Sequence, residues 1–187
     1  MADLSLSEKL LTLEQELLRR RIPHAFGGAI ALAYYAAPRA TVDLDLNVFT
    51  PVDRADDVLG TLADLGADAV GAHERARLAR DGQLRVSWQS TPVDLFFSYD
   101  AFHDSCFERR RRVPFGEGDH IHVLAAEDLV VFKAIFDRAK DWRDIDEVLF
   151  ALGEDFDADY ARDWLGRIVG PEDERLARLQ AALARPA

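Results

Sequence analysis

The sequence predicts an α/β (α+β) fold: a mixed β-sheet flanked by helices, followed by a C-terminal helical segment. Three observations carry this. Apolar residues repeat with helical spacing over residues 6–21, where Leu10, Leu11, Leu13, Leu17 and Leu18 share one face. Shorter stretches at 41–49 and 83–97 alternate apolar and polar residues with the period of a strand. From Ala126 the pattern is helical almost to the end of the chain. Strands mixed with helices first, then helices alone, is the order expected of a sheet covered by helices.

Taken in order, Ser5 or Ser7 can cap the first helix. "IPHAF" (22–26) reads as a short buried strand and Gly27-Gly28 as a turn. Residues 29–37 are small and apolar, a buried helix that Pro38 stops. Residues 41–49 form a strand with Val42, Leu44, Leu46 and Val48 on one face. Thr50-Pro51 opens a helix over 52–65, which Gly66 ends. Residues 73–80 and 83–90 read as two strands joined at Asp81-Gly82, and "TPVDLFF" (91–97) as a further strand. "ERRRRVPF" and "HIHVL" read as edge strands around a Gly116–Gly118 turn. Helices are expected at 126–138, 141–152, 157–168 and 172–184. With no internal repeat or low-complexity linker, the expected organisation is a core of residues 1–125 with residues 126–187 packed on it as one compact unit.

The chain has 187 residues, 49% of them hydrophobic, enough for one sizeable core. Its net charge of −11 argues against coating extended duplex DNA or an anionic membrane. No apolar run approaches the roughly 20 residues of a membrane span. "MADLSLSEKLLTLEQELLRRR" is charged throughout and does not read as a signal peptide. Cys106 is the only cysteine, which fits a reducing cytoplasm. Lys9, Lys133 and Lys140 are the only lysines; the chain otherwise uses Arg.

The strand at 41–49 carries Asp43 and Asp45 on the face opposite its apolar residues. Two carboxylates side by side on a strand repel each other, and Asp is a poor strand former, so the arrangement asks for a cation. Residues i and i+2 of a strand point the same way, so the two carboxylates converge. Mg²⁺ takes hard oxygen ligands from one or two carboxylates and from phosphates, and two such ions can hold both oxygens of a phosphoryl displacement. Asp94 in "TPVDLFF" is the natural third carboxylate. Gly27 and Gly28, after a strand and before a helix, leave the backbone bare for a triphosphate. The ordered run strand–Gly-Gly–helix–Arg39–x–Thr41–x–Asp43–x–Asp45 is far more specific than any of its parts.

On these residues the sequence resembles the nucleotidyltransferase superfamily with the DNA polymerase β-like fold. "GGAIALAYYAAPRATVDLDL" resembles the AbiEii-type toxins and related bacterial proteins, and "EDLVVFKAIFDRAKDWRDI" (127–145) is similar to their C-terminal pattern. The resemblance covers most of residues 22–150. It implies a nucleotidyltransferase-type sheet, catalytic and metal-binding roles for Asp43, Asp45 and Asp94, and nucleotide contacts from Gly27, Gly28, Arg39, Thr41, Lys133, Lys140, Asp141 and Asp144. Many members have Gly-Ser at the turn, with the Ser hydroxyl on phosphate; here it is Gly28 and then Ala29, which leaves more of the phosphate grip to the backbone and Thr41. The implied activity is transfer of NMP from an NTP to an acceptor, with one or two Mg²⁺ ions. The acceptor is a tRNA 3′ end or a protein side chain, as for a toxin with a cognate antitoxin. The alternatives are a small-molecule acceptor, as in aminoglycoside and lincosamide nucleotidyltransferases, and a nucleotide-binding module without catalysis.

Each feature also has a plain structural explanation. A D-x-D can be a solvated strand face, and Asp94 an edge-strand charge. Lys140 can pair with Asp144, and Lys133 with Asp137, along a helix. Arg109 to Arg112 read as a solvated edge. His120 and His122 share a strand face as a zinc pair would, yet no Cys or carboxylate stands at matching spacing. Trp88, Trp142 and Trp164 read as packing residues.

Overall fold

The computed structural model describes residues 4–185. Residues 1–3 and 186–187, the outermost parts of the two expected segments and of the N-terminal leader reading, lie outside the described residues. Contacts divide the chain into two units. The first comprises the chain up to Ile30 and Ala40–Val123; the second comprises Ala31–Arg39 and the chain from Leu124.

The first unit is built on six strands: β1 (His24–Phe26), β2 (Leu44–Pro51), β3 (Gln83–Trp88), β4 (Thr91–Ser98), β5 (Arg111–Phe115) and β6 (Asp119–Val123). They form one mixed sheet in the order β3-β4-β2-β1-β6-β5. β2 runs parallel to β4 and β1 parallel to β6, while the other neighbours are antiparallel. Helix α1 (Leu6–Arg19) opens with a capping box: Ser5 Oγ accepts from the Glu8 N–H, and the Glu8 carboxylate accepts from the Ser5 N–H. Leu10, Leu13 and Leu17 are its buried stripe; Leu18 is exposed. Glu14 is buried on the same stripe, with His24 Nε2 on β1 and His122 Nδ1 on β6 at 2.9 and 2.7 Å from its carboxylate oxygens.

Helix α2 (Gly28–Leu32) is shorter than the expected 29–37; its end unwinds into turns at 33–35. β2 begins at Leu44, so Val42 is exposed and Asp43 stands just ahead of the strand. A short 3₁₀ turn (Val52–Arg54) leads into α3 (Ala55–Asp64). The strand expected at 73–80 is instead helix α4 (Ala72–Asp81). "AHERARLARD" holds good helix formers and no β-branched residue, and only Leu78 is buried. Gly82, at φ 66°, closes that helix in the left-handed conformation rather than turning a hairpin. The hairpin lies one element later, where Gln89 and Ser90 join β3 to β4. Asp100 caps α5 (Ala101–Arg109), a helix the sequence pattern does not announce. β5 is an edge strand as expected, but β6 is interior, lying between β1 and β5 with Ile121 and Val123 buried.

The second unit holds α6 (Ala126–Phe136), α7 (Ala139–Leu152), α8 (Ala158–Val169) and α9 (Glu174–Leu183). α6 is apolar on nearly every side, and Leu129, Val130, Val131 and Ala134 are all buried. Among the described residues no helix is long and apolar enough to cross a membrane.

Candidate functional site

Parallel pairing of β2 and β4 puts Asp45 directly beside Asp94, their Cα atoms in register. Adjacent strands lie roughly 4.8 Å apart, so in-register residues share one face of the sheet. The β3–β4 hairpin then sets Arg85 opposite Asp94. Arg85 Nε donates to Asp94 Oδ1 at 2.7 Å and Nη2 to Oδ2 at 2.6 Å. The same Nη2 lies 3.7 Å from Asp43 Oδ2. The hydrogen bond to Asp94, with the charges of Asp94, Asp43 and Asp45, holds the Arg85 guanidinium above its usual pKa range. Arg85 thus bridges Asp94 and Asp43, with Asp45 beside Asp94 in register, and its charge offsets the repulsion that the sequence poses. The Arg85 side chain is 59% exposed, so this cation sits at the surface.

Gly28 abuts this cluster. Its φ is 53°, and a Cβ there would stand 1.8 Å from Asp45 Oδ2, so a side chain at position 28 is strained and would force the Asp45 carboxylate to move. Gly27 donates its N–H to the Asp45 carbonyl at 2.8 Å, extending the β1–β2 ladder. The Thr41 hydroxyl accepts from the Asp43 N–H at 3.2 Å and donates to the Asp43 carbonyl at 3.3 Å. Thr41 thus orients Asp43.

The second unit carries a separate polar cluster. Lys133 Nζ donates to Asp144 Oδ2 at 2.6 Å, and Arg39 Nη2 donates to the same oxygen at 3.1 Å. Asp141 Oδ1 lies 3.9 Å from Lys133 Nζ, while Arg138 Nε donates to Asp141 Oδ2 at 2.6 Å. Burial pushes the Asp144 carboxyl up, but hydrogen bonds from Lys133 and Arg39 outweigh it and hold the group below its ordinary value. Arg39, Lys133, Asp141 and Asp144 are thereby brought together; Lys140 is exposed on α7 and stands apart from them. The helical pairings that spacing allows are not the ones formed. Asp144 takes Lys133 rather than Lys140, and Asp137 ends α6 in the left-handed conformation and accepts from the Trp142 indole at 2.6 Å.

Arg85 is the site residue that sequence reasoning misses. The signal was present: a two-residue loop between Trp88 and Thr91 pairs Arg85 with Asp94 without further information. Lys9, the third lysine, is fully buried, with Nζ donating to Thr91 Oγ1 at 2.9 Å. Arg111 and Arg112 are exposed on the edge strand β5, and Trp88 and Trp142 are buried.

No family model matches the sequence, and no curated protein matches it either. The fold does have solved counterparts. The chain is similar to the crystal structure of ANT(2")-Ia in complex with adenylyl-2"-tobramycin, over 95% of its own length and 98% of that chain, at TM-score 0.60 and 14% identity. It is similar to lincomycin-bound LnuA, a lincosamide antibiotic adenylyltransferase, over 79% of its length and 98% of that chain, at TM-score 0.53 and 12% identity. It is also similar to an antigenic nucleotidyltransferase-like protein from Paracoccidioides brasiliensis, over 95% and 91% of the two chains, at TM-score 0.52 and 16% identity. A six-stranded mixed sheet with helices about it, alike over most of each chain, gives this protein the nucleotidyltransferase fold.

Proposed function

We propose that the chain is a Mg²⁺-dependent nucleotidyltransferase that moves NMP from an NTP to an acceptor hydroxyl. The observation that carries this reading is the gathering of Asp43, Asp45 and Asp94 about one surface cation, beside a glycine where a side chain would force Asp45 to move. The donor set fits Mg²⁺. It consists of hard carboxylate oxygens, a cationic guanidinium already stands among them, and that guanidinium is exposed enough to be displaced. Asp43 and Asp45 would hold the metal. When bound, Mg²⁺ supplies charge neutralisation on the triphosphate and the departing pyrophosphate.

The protein's own residues account for the rest. Thr41 fixes the Asp43 backbone, and Gly28 keeps the approach to Asp45 open. Asp94 takes the proton of the acceptor hydroxyl as that oxygen attacks the α-phosphorus in line. The bond from the α-phosphorus to the bridging oxygen breaks, and pyrophosphate leaves with the electron pair. The family resemblance further implies Lys133 as a phosphate ligand and nucleotide contacts from Arg39, Lys140, Asp141 and Asp144.

The AbiEii-like pattern over 127–145 supports an acceptor of the toxin kind, a tRNA 3′ end or a protein side chain, with a cognate antitoxin as partner. A cationic small molecule is the second reading, favoured by the net charge of −11. Calorimetric titration with Mg²⁺–NTP tests the nucleotide site. Asp45→Asn is expected to abolish binding while the fold stays intact, because a like-charge neighbour is removed. Unchanged affinity in Asp45→Asn and Asp43→Asn would sink the assignment. Labelled NTP offered with tRNA, with protein and with aminoglycosides then separates the acceptors.

A further inference from the structure

The first unit holds a second convergence of ligating side chains, drawn from α1, β1 and β6 and built from residues 10 and 108 positions apart in sequence. The Glu14 carboxylate is almost wholly buried. His24 Nε2 lies 2.9 Å from Glu14 Oε2, and His122 Nδ1 lies 2.7 Å from Glu14 Oε1. The ligand atoms of the three residues all fall within 4.8 Å of one another.

The tautomer of His24 is the informative point. Its Nδ1 lies 2.8 Å from the Ile22 carbonyl oxygen, which only accepts, so Nδ1 carries a proton. A neutral ring then presents the Nε2 lone pair to a carboxylate, which also only accepts. Two lone pairs at 2.9 Å in a buried site repel. Something positive has to offset this, either a second proton on the ring or a metal ion bound beside the pair by both atoms. An imidazole whose other nitrogen donates to a backbone carbonyl is held as metal-ligating histidines are held. His122 brings a second imidazole nitrogen to the same carboxylate, and its own backbone N–H donates to Glu14 Oε2 at 3.2 Å, orienting the group from behind. Two nitrogen donors and one oxygen select a borderline metal over Mg²⁺ or Ca²⁺.

We propose that Glu14, His24 and His122 form a metal site for Zn²⁺ or a similar borderline divalent cation, separate from the Asp43–Asp45–Asp94 cluster, which fastens α1 to β1 and β6. His122, partly exposed, is the entry side. A ligand set of this kind leaves a coordination position for water on that side.

The test uses the full chain, stripped with chelator and then titrated with Zn²⁺ in a large excess of Mg²⁺, which occupies carboxylate sites. Binding of a single Zn²⁺ with a raised melting temperature is expected. Asp43→Asn should retain that binding. His122→Asn, chosen because that residue is the least buried of the three, should weaken it by roughly 10- to 100-fold or more, the range seen when even the partner of a ligand is removed. Titration with Co²⁺ gives a measurement that needs no variant: visible d–d absorption displaced by Zn²⁺ supports the site. The proposal is overturned if no Zn²⁺ is retained, or if His122→Asn binds it as wild type does. It is equally overturned if nitrogen NMR finds both ring nitrogens of His24 protonated with Zn²⁺ present, for then a proton holds the position.

Discussion

Two acid–base clusters in this protein look alike in sequence and differ in what surrounds them. Arg85 with Asp94 and Asp43, and Lys133 with Asp144 and Arg39, are each a cation–carboxylate group at hydrogen-bond distance. The first is at the surface, its guanidinium 59% exposed; the second is buried, with Lys133 and Asp144 side chains 5% and 6% exposed. Water screens the first pair and makes its partner replaceable at small cost. Burial makes each member of the second pair dependent on the other, since an orphaned charge there has no solvent. Exposure thus suits one cluster to exchanging ions, while the other holds its helices in register whatever else it binds.

The sharpest way to separate them is to neutralise Asp94. Asp94→Asn is expected to lower NMP transfer by about 10²–10⁴-fold with little change in NTP affinity, as for loss of a general base. Equal loss of turnover and affinity would make Asp94 a binding residue instead. Lys133→Met carries the next effect. It leaves Asp144 buried with Arg39 alone and should cost about 3 kcal/mol or more of stability by urea denaturation. A variant as stable as wild type would show the pair to be dispensable to the fold, and weaker NTP binding by that variant would support Lys133 as a phosphate ligand.

Acid should act on the same cluster. The Asp144 carboxyl lies below its ordinary value when folded, so its contribution is present above the ordinary aspartate range and is lost as pH falls through the folded value. Asp144→Asn should flatten that part of the pH–stability profile, measured by melting. Gly28→Ala combines positive φ with a Cβ against Asp45 and should cost about 1–3 kcal/mol. Asp45→Ala in the same chain removes the obstructing carboxylate and should recover part of it. Smallest is Arg85→Gln: under about 1 kcal/mol of stability, with Mg²⁺ bound more tightly because a competing cation is gone. Weaker Mg²⁺ binding in that variant would recast Arg85 as a ligand-orienting residue.

What could be read from the sequence divides along the same line between local and distant. The α/β class, the Ser5 cap and the four C-terminal helices follow from periodicity within short windows, and the structure has them. The misreading of 73–80 came from weighing Asp81-Gly82 as a hairpin above the helix-forming content of "AHERARLARD". Asp43, Asp45 and Asp94 were legible because strand period and a metal's needs coincide. The Arg85 contact required strand pairing, which a two-residue loop supplies. Glu14 with His122 was out of reach, because nothing local ties a helix carboxylate to a histidine 108 positions later. Searching for a carboxylate near His120 and His122 by spacing alone could not find one that the fold delivers.

The sheet order has a consequence for how the chain reaches its native state. β1 lies between β2 and β6, and Phe26 pairs with Val123 across nearly the length of the first unit. The β3–β4 and β5–β6 hairpins can form as soon as each is synthesised, but they sit at opposite edges and cannot join through each other. Closure waits for a parallel contact that spans a long loop, the slowest kind to form. Until β6 is made, β1 lacks one neighbour, so the nascent sheet keeps one open pairing edge through the synthesis of β2 to β5. Charged Arg111 and Arg112 then guard the outer edge of the finished sheet, on β5, against pairing with other chains.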